Sequence, residues 1–150
     1  STVITLSVPG QLRYLGILRA AIVALDGLYA GCDRRPAPSA VYAWGLAVYE
    51  AATNIVRHAY DGDSDALITM TIEPAADRVI IRLTDRGRRN PHWPPPDEPT
   101  HSGEGGYGLH IIRQVMDEVR YDRDGQEANV LTMVAYLEGA SKRTIHECSP

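Results

Sequence analysis

The sequence predicts an α+β fold of two layers, in which helices pack on one face of a mixed, mostly antiparallel sheet. The apolar patterns follow the order β-α-α-β-β-loop-α-β-β along the chain. Two pairs of neighbouring strands are joined by short connections, which is typical of antiparallel pairing. With 150 residues, 44% of them hydrophobic, the chain has the size and composition of one folded domain.

The first half of the chain is predicted to form one strand and two helices. Residues 3–8 are short and β-branched and run into a Pro-Gly turn, which indicates a strand. Across residues 11–29, apolar side chains recur every three or four positions, and this spacing predicts an amphipathic helix. Ser39 is predicted to cap a second helix, which runs to about Tyr60 and ends at residues 61–63.

The second half is predicted to form two strand pairs separated by a loop and a helix. Residues 66–74 and 77–85 alternate or are rich in β-branched residues, so we expect a pair of strands there. Residues 86–106 keep no period and contain five prolines, which predicts a long loop that is either functional or disordered. Helical spacing returns over residues 107–119, and a hairpin is predicted to follow over residues 119–137.

Charge and composition exclude several classes of protein. The net charge of -4, without a run of like charges, gives no basic surface for nucleic acid, so we expect no direct nucleic-acid binding. No stretch approaches 18 uninterrupted apolar residues, so we expect no membrane span. Two cysteines cannot build a disulfide framework or a four-ligand zinc site, and they indicate a reducing, cytoplasmic location.

The second predicted helix carries one carboxylate in an otherwise apolar stretch. Its core-facing stripe consists of Val41, Gly45, Val48, Ala52, Ile55 and Ala59. Glu50 and Asn54 project together from the opposite side, where their neighbours are alanines, so the helix is predicted to be covered on both sides. Glu50 is therefore either an ordinary surface residue or a carboxylate that lines a cavity and serves a cation or a proton transfer.

A cluster of glycines precedes the third predicted helix, at positions 103, 105, 106 and 108. Backbone N–H groups and the positive end of the helix dipole converge at such a place, so it either binds phosphate or acts as a flexible hinge. No strand precedes the cluster, which excludes the dinucleotide-binding fingerprint. Lys142 is the only lysine and lies far from the glycines, which excludes a Walker loop and a eukaryotic-type protein kinase.

A short polar motif, Asp85-Arg86-Gly87, stands where a predicted strand enters the long loop. An aspartate there can accept a hydrogen bond from an amine, and Gly87 lets a flat ring approach the backbone. Because most Asp-x-Gly tripeptides are turns, this motif alone does not distinguish a binding site from a turn.

The combination of these motifs resembles the N, G1 and G2 boxes of the GHKL ATPase superfamily. The segments YEAATNIVRHAY, LTDRG and GGYGLHIIRQVMDEVRY occur in that family's order and spacing. They look most like the bacterial anti-sigma-factor serine-protein kinases, the RsbW-like family. The resemblance covers about residues 3–138 and implies a Bergerat-type ATP-binding fold. We accordingly expect one domain over residues 1–138 and a tail over 139–150.

The resemblance also implies roles for residues around the nucleotide. Asn54 would coordinate the Mg²⁺ ion that bridges the ATP phosphates, and Glu50 would act as the base for the attacking hydroxyl. Asp85 would read the adenine amine above Gly87, and Thr132 would support Asp85 through water. These roles follow from the family and not from the composition or spacing of this sequence.

The phosphates, on the same resemblance, would be wrapped by backbone of the glycine cluster. Gly105, Gly106, Gly108 and the amide of Leu109 would contact them, and residues 86–106 would form the ATP lid. The expected cofactors are therefore ATP and Mg²⁺.

The function that the resemblance implies is that of a cytoplasmic, ATP-dependent serine/threonine kinase. Such a protein binds a sigma factor and phosphorylates a STAS-type anti-anti-sigma factor, and we expect it to be a homodimer. Two alternatives stay open from the sequence. One is a nucleotide-responsive binding module without kinase activity, and the other is a detached catalytic domain that acts on a histidine of another protein.

Overall fold

The computed structural model describes residues 2–88, 106–123 and 127–138, with residues 106–109 as backbone only. The elements follow the predicted order along the chain. They are β1 (Ile4–Pro9), α1 (Leu15–Val23), α2 (Pro38–Asn54), β2 (Leu67–Pro74), β3 (Arg78–Asp85), α3 (Gly106–Val115), β4 (Glu118–Arg123) and β5 (Asn129–Tyr136). Turns of 3-10 helix precede and follow α1, over Leu12–Tyr14 and Ala24–Tyr29.

The five strands form one sheet in the order β1-β2-β3-β5-β4. Every pairing among the described strands is antiparallel, whereas the sequence predicted a mixed, mostly antiparallel sheet. Short connections require this direction for β2–β3 and β4–β5, because a parallel pair needs a crossover of a dozen or more residues. The connections from β1 to β2 and from β3 to β5 are long enough for either direction, so the direction of these two pairs is set by the tertiary fold. The predicted α+β fold, with helices on one face of the sheet, is confirmed.

The two faces of the sheet differ in chemistry, as the alternation along β2 and β3 predicts. The helix-facing side is apolar and buried, and its β3 and β5 members pair directly: Val79 with Ala135, Ile81 with Met133 and Leu83 with Leu131. The opposite side carries charged pairs such as Arg82 and Glu73, 2.7 Å apart. At the end of β3, the next pair on this helix-facing side is polar and consists of Asp85 and Asn129.

The second helix is buried on both sides, as its composition predicted. α2 packs against both α1 and α3. The predicted stripe faces the core, and Ala47 and Ala51, on the side of Glu50, are 0% and 2% exposed. The described helices are all too short or too polar to cross a bilayer.

The start of α2 differs from the prediction by a small shift. The helix begins at Pro38 with Ala37 as its N-cap residue, and no side chain caps it, so the predicted cap at Ser39 is wrong. Proline is well suited to the first helical position because its missing N–H would have no partner there and its φ is already helical.

A π-helical turn, Ile55–Ala59, extends the end of α2. It closes through the N–H of Tyr60, which donates to the Ile55 carbonyl at 2.9 Å, and the N–H of Gly62, which donates to the Val56 carbonyl at 2.8 Å. Asp61 and Gly62 then take φ values of 57° and 110°, which a right-handed helix does not permit. The predicted helix end at residues 61–63 is confirmed. Single π turns of this kind occur frequently at functional sites.

Candidate functional site

The end of β3 lies directly against the π-helical turn that follows α2. The N–H of Arg88 donates to the Ala59 carbonyl at 2.9 Å. A Cβ atom added at Gly87 would lie 2.7 Å from both the carbonyl oxygen and the Cβ of Ala59. Only glycine therefore allows this close approach, which joins the Asp85–Gly87 motif to the helix that carries Glu50 and Asn54.

We expect Gly87→Ala to separate these two elements. The added methyl group contacts backbone atoms that cannot move independently, so the variant should lose about 1–3 kcal/mol of unfolding free energy in urea and bind ATP more weakly. Gly16→Ala is the matched control, since a Cβ atom there meets nothing within 4 Å. Gly16 lies within α1, so the control should gain about 0.5–1 kcal/mol. Equal stability of the two variants would contradict the proposed contact.

Tyr60 fixes the same turn to the neighbouring strands. Its hydroxyl donates to the Leu67 carbonyl at 2.7 Å and accepts from the N–H of Arg86 at 3.3 Å. Its ring covers Gly10, where an added Cβ would lie 2.5 Å from the ring Cδ2. Burial raises the pKa of the Tyr60 hydroxyl, so this group remains a neutral hydrogen-bond partner at physiological pH. The start of the long loop is thereby held in a defined place.

Asp85 is a buried carboxylate at the end of the helix-facing row, with 4% of its surface exposed. Its Oδ1 accepts hydrogen bonds from the N–H of Gly87 and from Nδ2 of Asn129, each at 2.9 Å. No hydrogen bond from the described residues reaches Oδ2, so this oxygen remains available to a ligand. Burial raises the pKa of the Asp85 carboxyl, while those hydrogen bonds and the charge of Arg123 act in the opposite direction.

The side chain that supports Asp85 is Asn129, and the predicted support by Thr132 is wrong. Asn129 is the direct partner of Asp85 in the β3–β5 register. Thr132 pairs with Arg82 of β3 and Arg120 of β4, which places it on the opposite face of the sheet. The alternation along β5 contains the signal, because Asn129 shares the parity of the core residues Leu131 and Met133.

Glu50 and Asn54 lie on successive turns of α2, and both are half-buried. The carboxylate of Glu50 has no hydrogen-bond or ion-pair partner within residues 2–88, 106–123 and 127–138. In the same residues, the buried Nδ2 of Asn54 has no acceptor. An unpaired buried amide costs about 1–3 kcal/mol, and an oxygen of a bound phosphate would satisfy it.

The oxygen atoms near Asn54 suit a metal ion that is bound mainly by the phosphates of a nucleotide and only in part by the protein. In the described part of the chain, no three His, Cys, Asp or Glu side chains come together as a metal site. Mg²⁺ needs no such set, because it usually keeps several waters and binds through one or two protein oxygens plus substrate phosphates. Oδ1 of Asn54, near the negative end of the α2 dipole, is an oxygen of this kind.

The glycine cluster is described only in part. Helix α3 begins at Gly106, so Gly106 and Gly108 lie within its first turn, and Leu109 is its fourth residue. The first N–H groups of a helix have no partner within it and can bind an anion. Residues 89–105, which include Gly105 and most of the predicted lid, lie outside the described residues.

Comparison with known proteins matches most of the chain. A family described as histidine kinase-like ATPase domain matches residues 10–135. A protein named serine-protein kinase RsbW, from Bacillus subtilis (strain 168), is 29% identical over 145 residues, which covers 91% of this chain and 86% of the relative. The protein of that name from Listeria innocua serovar 6a is 30% identical over 138 residues, covering 86% of this chain and 85% of the relative. The matched family region contains Glu50, Asn54, Asp85 and Asn129.

Proposed function

Because the chain belongs to the family of histidine kinase-like ATPase domains, and relatives that match most of its length are named serine-protein kinase RsbW, we propose that it is an ATP-dependent protein serine/threonine kinase. The observation that carries this proposal is the contact between Gly87 and Ala59. This contact brings the buried carboxylate of Asp85, which suits a purine amine, next to the helix that bears Glu50 and Asn54.

The adenine ring is proposed to bind at the end of β3. Oδ2 of Asp85 accepts a hydrogen bond from the adenine amine, since Oδ1 is already occupied by two donors. Gly87 has no side chain to obstruct a flat ring above it. The aspartate distinguishes adenine from guanine, because guanine carries an acceptor where adenine carries the amine.

The phosphates and their metal are proposed to lie between α2 and the start of α3. Oδ1 of Asn54 would hold Mg²⁺, and its Nδ2 would donate to a phosphate oxygen. When bound, Mg²⁺ neutralises charge on the phosphates. Backbone N–H groups of Gly105, Gly106, Gly108 and Leu109 would contact the phosphate oxygens.

Glu50 is proposed to accept the proton in the transfer step. The oxygen of the acceptor hydroxyl forms a bond to the γ-phosphorus, and the bond from that phosphorus to the ADP oxygen breaks. The hydroxyl proton moves to the Glu50 carboxylate, which has no other partner among the described residues. Its place one turn before Asn54 puts it on the same helix face as the metal ligand.

The partners are proposed to be a sigma factor, which the protein binds, and a STAS-type anti-anti-sigma factor, which supplies the acceptor hydroxyl. The protein would act as a homodimer in the cytoplasm and would not itself bind DNA. A pull-down in ATP and Mg²⁺, followed by mass spectrometry, tests for both partners.

Transfer of labelled phosphate from ATP to the recovered antagonist tests the reaction itself. Acid-stable label is expected, because phosphoserine and phosphothreonine survive acid. Acid-labile label would indicate a histidine acceptor. Binding of ATP and a partner without any transfer would replace the kinase by a nucleotide-responsive binding module.

Asn54→Ala should remove most of the benefit that Mg²⁺ gives to ATP binding. We expect the affinity measured by calorimetry with Mg²⁺ to fall by about 10- to 100-fold, and the affinity without metal to change by less than about threefold. Thr53→Val is the neighbouring control, since the Thr53 hydroxyl donates to the Tyr49 carbonyl of its own helix. Metal-linked affinity of wild-type size in Asn54→Ala would exclude Asn54 as the ligand.

A further inference from the structure

Three polar residues form one row across three neighbouring strands at the end of the sheet. Asn129 of β5 pairs directly with Asp85 of β3 on one side and with Arg123 of β4 on the other. Directly paired residues of antiparallel strands point to the same face, so the three side chains lie together on the side of the helices.

All hydrogen-bonding groups of the Asn129 side chain are used within this row and the adjoining loop. The residue is 0% exposed. Its Nδ2 donates to Oδ1 of Asp85 at 2.9 Å and to the Gly87 carbonyl at 3.1 Å. Its Oδ1 accepts from Nη1 of Arg123 at 3.2 Å. Both neighbours of Nδ2 are acceptors and Arg123 is a donor, so only this orientation of the amide satisfies every group.

These contacts decide where the free oxygen of Asp85 points. Asn129 and the N–H of Gly87 both occupy Oδ1, so Oδ2 is the oxygen that can meet a ligand. Asn129 also donates to the Gly87 carbonyl. It therefore fixes the Asp85 carboxylate relative to Gly87, the residue proposed to lie beneath the adenine ring. We propose that Asn129, oriented by Arg123, is a positioning residue that sets the preference of this site for adenine over guanine nucleotides.

The preference depends on Asp85 remaining an acceptor. An ionised carboxylate can only accept and therefore suits the amine of adenine, whereas a protonated carboxyl can donate to the oxo group of guanine. Burial favours the protonated form by raising the pKa of Asp85, and the donor group of Asn129 and the charge of Arg123 oppose that effect. Loss of either residue should therefore reduce discrimination between the two bases.

The test measures ATP and GTP affinity by calorimetry in the full chain, and it rests on the proposed adenine site at Asp85. Asn129→Asp keeps the side-chain shape but replaces the donor by a second carboxylate, and it should lower the ATP-over-GTP ratio by about 10-fold or more. Arg123→Gln, at an exposed residue, should lower it by about threefold. Thr84→Val is the matched control, since Thr84 adjoins Asp85 but points to the opposite face, and its ratio should be unchanged.

A double variant separates positioning from a general structural effect. If Asn129 acts through Asp85, then Asn129→Asp should change the ratio by less than about twofold in an Asp85→Ala background, where there is no carboxylate to position. The inference is overturned if Asn129→Asp and Arg123→Gln, both folded by thermal denaturation, keep the wild-type ratio. It is also overturned if the effect of Asn129→Asp is equally large in the Asp85→Ala background. Wild-type protein that binds neither nucleotide would overturn the proposed function together with this inference.

Discussion

Replacing Glu50 by glutamine is expected to slow phosphate transfer by about 10²- to 10⁴-fold, the usual contribution of a general base. The amide of Glu50→Gln has nearly the shape of the carboxylate but cannot accept the hydroxyl proton. ATP affinity should stay within about twofold, because Glu50 is proposed to act in the transfer step and not in binding. Single-turnover transfer to the antagonist protein, measured beside calorimetry with ATP, separates the two quantities.

Glu73→Gln is the control for loss of a carboxylate. Glu73 lies on the face of the sheet that points away from the helices, where its carboxylate is 2.7 Å from Arg82. A pair of this exposure contributes about 0–1 kcal/mol to stability, so transfer should be unaffected. If Glu50→Gln transfers phosphate at the wild-type rate, another group accepts the proton and the role of Glu50 is refuted.

Asp85→Asn should weaken ATP binding by about 10- to 100-fold, the value of one hydrogen bond to a charged group. In the variant, the amide oxygen can still accept from Gly87 and Asn129, so its NH₂ group faces the ligand. This group opposes the amine of adenine and suits the oxo group of guanine, so the preference should shift toward GTP. Calorimetry with both nucleotides measures the shift, and an unchanged ATP-over-GTP preference would exclude Asp85 as the reader of the base.

The thermal stability of Asp85→Asn should not fall along with its ATP affinity. Burial raises the pKa of Asp85 in the folded protein, so keeping this carboxylate ionised reduces the unfolding free energy when the pH is above that pKa. A neutral amide avoids this cost. We therefore expect the thermal midpoint of Asp85→Asn at pH 7 to equal or exceed that of wild type, and the difference to diminish as the pH falls through the raised pKa. A large loss of stability would mean that the weaker ATP binding reflects damage to the fold.

Local patterns in the sequence predicted most of the architecture. The order of strands and helices, the buried stripe of α2 and the end of that helix at residues 61–63 all depend on residues that are close along the chain. The start of α2 was misplaced by two residues, because Ser39 and Pro38 are both favourable near a helix start and only the observed backbone distinguishes them.

The sequence by itself determined the element order, the family, and the residues Glu50, Asn54, Asp85 and Gly87 as the candidates for chemistry. The tertiary structure alone decided that the described strands pair only antiparallel, that Gly87 contacts Ala59, and that Asn129 and not Thr132 holds Asp85. The physical reason is distance along the chain. Helix and strand periods are set by neighbouring residues, whereas Asp85 and Asn129 are 44 positions apart, and only the β3–β5 register brings them together.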